Sequence, residues 1–84
     1  MPTENNDKTE QILSRIDDII ALLDELIANE RTAGRMTLLQ AARHHYLAGA
    51  AYLRRGRTDE AGIHLETASR MTTEIRKQIR GLMA

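Results

Sequence analysis

The segment from Tyr46 to Ala68, YLAGAAYLRRGRTDEAGIHLETA, constrains this chain more than any other part of it. Helix-forming residues run up to Arg55, break at Gly56 and resume at Thr58, so the segment reads as two helices joined by a tight turn at Arg55-Gly56-Arg57. Ala41, Ala48 and Gly49 carry little side chain, so a neighbouring helix can come close to this part of the first helix. A glycine inside a helix costs about 1 kcal/mol relative to alanine, and a close helix contact at Gly49 would offset that cost.

Composition narrows the remainder. At 84 residues the chain is one domain, and a domain of that size buries only about 60–65% of the surface its unfolded chain exposes. Val, Phe, Trp and Cys are absent, Tyr46 and Tyr52 are the only aromatics, and Pro2 is the only proline. That balance favours helix over sheet, and no proline interrupts a helix after the start. With no cysteine there is no disulfide framework and no thiolate metal or redox site, which fits a cytoplasmic location. The start, MPTENNDKTE, lacks a basic-then-apolar leader pattern. Uncharged runs such as Ile19 to Leu23 and Tyr46 to Leu53 fall far short of the roughly 20 residues of a membrane span.

In chain order, residues 1–6 form a polar lead that is expected to be mobile, and residues 7–84 form a single helical domain. Asp7 and Glu10 have the spacing of a capping box. Ile12, Ile16, Ile19, Leu23 and Leu26 then recur at helical spacing, with Leu13, Ile20 and Ile27 as a second row, and Asp17, Asp18, Asp24 and Glu25 lie on the opposite, acidic face. This predicts a first helix over about 8–32, with Gly34 as its terminator. Thr37 and Gln40 have the spacing of another capping box and predict a second helix over about 38–55. Its inner face is Leu38, Ala42, His45, Gly49 and Tyr52, with Leu39, Tyr46 and Leu53 beside them. Thr58 is the expected cap of a third helix over about 58–81, whose seam is Ala61, Leu65, Ala68, Thr72, Ile75, Ile79 and Leu82. The fold class is therefore all-α, a three-helix antiparallel bundle.

Gly49, Ala51, Tyr52, Gly56, Asp59, Glu60, Ala61 and Ala68 stand at the relative spacings of a tetratricopeptide repeat. The segment of about 42–75 thus resembles one such helical hairpin, covering under half of the chain. Ala48 and His45 stand where that repeat has larger apolar residues, and Gly62 where it has an aliphatic one. The resemblance implies tight helix packing and protein–protein binding, often of peptide segments.

No catalytic constellation appears. Ser14 and Ser69 lack a histidine partner in any recognisable motif, and there is no glycine-rich phosphate loop. Glu60 and His64 have an i, i+4 spacing that two metal ligands can use, yet the simpler reading is a surface Glu–His pair beside a half-buried His45. No enzyme activity, metal or cofactor is expected.

Charge is divided along the chain. Residues 1–32 hold eight acids and three bases, a net of −5, and residues 33–84 carry +5. The simplest explanation is mutual attraction of the two halves. A nucleic-acid partner is the alternative, for which Arg43, Arg54, Arg55 and Arg57 form the basic cluster. Leu47 and Ala51 lie on the same face as the arginines, and Ile63 falls outside the third helix's seam. These seven residues are the candidate partner-binding set. The resulting expectation is a small interaction module acting as adaptor, chaperone or inhibitor, forming a homodimer in which the acidic face of Asp17, Asp18, Asp24 and Glu25 meets the Arg face of a second copy. The alternative is a small regulator that contacts nucleic acid or blocks a machine that does.

Overall fold

The structure is a computed structural model that describes the backbone of residues 3–83 and the side-chain surroundings of residues 7–82. It consists of α1 (Thr3–Asn29), α2 (Ala33–Arg54) and α3 (Thr58–Met83), with no strand among the described residues. The all-α, three-helix expectation holds. Met1 and Pro2 of the polar lead lie outside the described residues, as do the side chains of residues 3–6.

Three helix boundaries differ clearly from the sequence reading, both ends of α1 and the start of α2, and Glu30 explains one of them. α1 stops at Asn29 because the Glu30 carboxylate folds over the chain that follows. Its Oε2 accepts from the backbone N–H groups of Arg31 and Thr32, both at 3.0 Å, and its Oε1 accepts from Arg35 Nε at 2.6 Å. A local side-chain acceptor of this kind competes with helix continuation. α2 then starts at Ala33, with Thr32 at its N-cap and the Thr32 carbonyl accepting from Met36 N–H at 2.9 Å. Thr37 therefore caps nothing: it lies one turn inside α2, and its hydroxyl donates to the Ala33 carbonyl at 3.1 Å. Gly34 belongs to the first turn of α2 and does not terminate α1. Asp7 is not an N-cap either, because α1 is already helical from Thr3.

The second connection matches its sequence signal closely. Gly56 has φ +74°, the left-handed conformation that only glycine adopts cheaply. Gly56 N–H donates to the Leu53 carbonyl at 3.0 Å and Arg57 N–H to the Tyr52 carbonyl at 2.9 Å, which is the double hydrogen bond of a Schellman helix end. α3 follows at once. The Arg57 carbonyl accepts from Ala61 N–H at 3.0 Å, so Arg57 holds the cap position expected for Thr58.

The core is built on α2. Ile16 and Leu23 from α1, Leu39, Ala42, Tyr46 and Ala50 from α2, and Ala68 and Ile75 from α3 are buried in one cluster. The α2–α3 contact is made by small residues. Ala42, Ala61 and Ala68 are completely buried, and a Cβ placed on Gly49 would lie 2.6 Å from Leu65 Cδ2 and 2.8 Å from its Cγ. α1 packs on α2 from another side, and no Cα of α1 comes within 8 Å of a Cα of α3. The molecule is a rod of 50 × 20 × 18 Å with a radius of gyration of 14.3 Å, against about 12 Å for a compact domain of this length.

Two predictions follow from this packing and from the Glu30 turn. Gly49→Ala gains helix propensity but forces Leu65 out of its position, and overpacking of this kind costs about 1–3 kcal/mol. Gly62 has nothing within 4 Å of an added Cβ, so Gly62→Ala should gain the propensity term alone, about 1 kcal/mol. Thermal unfolding should therefore show opposite signs, with Gly62→Ala raising the midpoint and Gly49→Ala lowering it. Equal gains from both would mean that the close approach is not there. The second prediction concerns pH. Arg35 first, then the Thr32 and Arg31 N–H groups, hold the Glu30 carboxyl down at about 2 from an ordinary 4.5. Stability from this ionised carboxylate is complete above pH 4.5 and is lost as pH falls toward 2. The midpoint difference between wild type and Glu30→Gln should thus stay constant from neutral pH down to that value and shrink below it. A difference that persists unchanged at pH 3 would contradict the arrangement.

Candidate partner-binding surface

The surfaces open to a partner define the candidate site. α2 turns one such face outward. Leu47, 42% exposed, lines a shallow pocket with Gln40, Arg43 and His44 of α2 and Asp24 and Ile27 of α1. Ala51, Arg54 and Arg55 continue this exposed surface toward the turn. Ile63 is 65% exposed but belongs elsewhere. It is two residues from Ala61, which is fully buried, and a two-residue step rotates a side chain by about 200° around a helix. Ile63 therefore faces away from α2, and the candidate set of Arg43, Leu47, Ala51, Arg54, Arg55, Arg57 and Ile63 falls into two patches instead of one.

The arginines are not a uniform cationic patch. Arg43 Nε is 2.6 Å from Asp24 Oδ1. The acidic face of α1 and the Arg face of α2 thus meet within one chain at this point. Arg57 pairs with Glu60 at 2.8 Å, and its guanidinium lies 5.6 Å from the centre of the Tyr52 ring. Arg54 and Arg55 are exposed and have no ion pair among the described residues. Asp17, Asp18 and Glu25 are likewise exposed without one.

The half-buried face between α2 and α3 holds a run of rings. His64 lies between Tyr52 and His45, with centroids 5.4 and 5.3 Å away, and His44 meets His45 edge-on at 5.6 Å. His45 Nδ1 and His64 Nδ1 are 3.0 Å apart, so one ring donates a proton and the other accepts it. Glu60, the carboxylate one turn before His64, is engaged by Arg57. Among the described residues no three His, Asp or Glu side chains group as a metal shell. No described helix is long and apolar enough to cross a membrane.

The second open surface is a groove that the sequence reading missed. α1 and α3 diverge enough to leave a cleft of ≈ 160 Å³ between them. Its walls are Ile19, Leu22, Leu23 and Leu26 on one side and Thr72, Ile75, Arg76 and Ile79 on the other, with Tyr46 of α2 at the bottom. Leu22 is 60% exposed and Leu26 39%. Leu26 was expected in the inner row. Leu22 belongs to neither apolar row of α1, but it continues a third, Ile19-Leu22-Leu26, whose spacing widens the apolar arc beyond what the α1–α2 contact covers. That third row is the signal by which the groove could have been found.

No family model, curated protein or solved structure matches this chain.

The Asp24–Arg43 pair is testable as an intrachain contact. Both side chains are substantially exposed, so solvent screening limits the coupling to about 0.2–1 kcal/mol. A double-mutant cycle with Asp24→Asn and Arg43→Gln should return a coupling in that range at low salt, fading as salt is added. A coupling of zero at low salt would leave the charge division of the chain without an intrachain role.

Proposed function

We propose that this chain is a small protein–protein interaction module, an antiparallel three-helix bundle that pairs with itself and acts as an adaptor, chaperone or inhibitor through helix-face binding. The observation that carries this reading is the amount of apolar surface left in water. Leu22, Leu47, Ile63 and Leu82 are each more than two-fifths exposed. The chain presents 6205 Å² of accessible surface, about 1,200 Å² more than the roughly 5,000 Å² that surface–mass scaling gives for a compact 9.5 kDa monomer. Exposed apolar surface gathered in one patch, as Leu22 and Leu26 are at the α1–α3 groove, marks a place where something binds. The likeness of the α2–α3 hairpin to a tetratricopeptide unit points the same way.

A regulator that contacts nucleic acid fits the charges less well. Arg43 and Arg57 each face a carboxylate, so only Arg54 and Arg55 of the four are left to meet phosphates. The acids Asp59 and Glu60 open α3 beside them. There are also few aromatic faces on which bases could stack.

Affinity capture from the native cell, with Leu47→Glu and Ile63→Glu as comparison baits, tests the reading. Wild type should retain a protein partner in stoichiometric amount, and at least one bait should lose it while keeping its helix content. A wild type that captures no protein but shifts duplex or single-stranded nucleic acid, with steep loss as salt rises, would replace this function by the regulator.

A further inference from the structure

We infer that the α1–α3 groove is the surface on which a second copy of this chain docks, with α1 of each copy lying over α3 of the other. This rests on the interaction-module reading and specifies which face makes the self-contact.

Three observations select a second copy as the occupant. The first is shape. The groove runs along the long axis of a rod whose faces measure about 50 × 20 Å, and a stable interface covers about 800 Å² per partner. One such face, about 1,000 Å² in outline, is large enough to supply that. The second is apolarity at the rim. Leu22 and Leu26 stand out of the groove and Ile79 is only half covered, so the apolar stripe is continuous from one wall to the other.

The third is charge, and it also fixes the orientation. On α1 the residues one turn to either side of Leu22 are Asp18 and Glu25, both exposed and without an ion pair. On α3 the corresponding flank carries Arg76, which lines the groove, and Arg80 one turn on, again exposed and unpaired. None of these four groups is ion-paired within the chain among the described residues. The acids and the cations are thus both available to a second copy. Over residues 18–25 of α1 and 76–80 of α3 the face is acidic along one edge and basic along the other, which is self-complementary. Within the groove, residues 19–26 of α1 lie beside residues 72–79 of α3. A two-fold axis parallel to the helices keeps that level, and so puts Asp18 and Glu25 of one copy opposite Arg76 and Arg80 of the other. An axis across the helices would set acid against acid and base against base.

The test is sedimentation equilibrium of the full chain over micromolar concentrations, with helix content checked by circular dichroism. Wild type should be dimeric. Leu22→Glu, at a position already mostly in water as a monomer, should weaken the dimer about tenfold or more by burying an unpaired carboxylate, whereas Leu47→Glu and Ile63→Glu should leave it intact. A second arm does not depend on Leu22. The charge-reversed chains Asp18→Arg/Glu25→Arg and Arg76→Glu/Arg80→Glu should each be monomeric alone and form a heterodimer when mixed. A monomeric wild type overturns self-docking, and the module reading then stands or falls on the capture experiment alone. A dimer lost with Leu47→Glu or Ile63→Glu but kept with Leu22→Glu overturns the groove while leaving a self-pairing module. Charge-reversed chains that stay monomeric in the mixture overturn the α1-over-α3 orientation.

Discussion

The contact of Gly49 with Leu65 sets the geometry of the molecule. No side chain separates the α2 backbone from Leu65 there, and the completely buried Ala42, Ala61 and Ala68 sit in the same small-residue seam. Helices packed through alanine and glycine approach closely, and the gain is close contact over a long line. The cost is that alanines bury little apolar area. Among the described residues Leu39 is the only large side chain that is fully enclosed. The larger residues are pushed to the margins of the seam, where they line the α1–α3 groove or stand in water. A thin core and a surplus of apolar edge are thus two results of one choice of residues.

How much of this was legible beforehand depended on how local the cause was. The α2–α3 turn could be read because one residue carries it: only glycine accepts the conformation at position 56 cheaply, and the two hydrogen bonds follow from that. The α1–α2 turn could not. Thr37 and Gln40 have the spacing of a cap, but Glu30 supplies three hydrogen bonds just ahead of them, so the helix starts earlier and the later signal is spent inside it. A capping pattern is a competition among nearby acceptors, and the sequence shows the competitors without showing which one wins.

The candidate surface divides in the same way. Exposure of Leu47 and Ile63 was readable from helical phase alone, since each lies away from its own helix's seam. Their failure to share a face was not, because it depends on which sides of α2 the other two helices occupy. The charge division was half readable. Asp24 and Arg43 meet within the chain, as attraction between the halves would have it, while Asp18 and Glu25 do not reach the cations of α3. The groove escaped notice because an apolar arc was counted as core wherever its spacing was regular. Leu26 and Leu82 have seam spacing and are nonetheless exposed, since a seam is buried only as far as a neighbour extends to cover it.

The imidazole contact between α2 and α3 has a consequence of its own. With His45 Nδ1 and His64 Nδ1 facing each other at 3.0 Å, the proton on one ring fixes where the other must carry its own, and the two rings cannot be in the same tautomer. Neither histidine is then an independent position. Replacing one leaves the other's inward nitrogen without its mate in a half-sheltered place, so in drifting descendants of this sequence the two should change hands together, as a matched pair, or not at all.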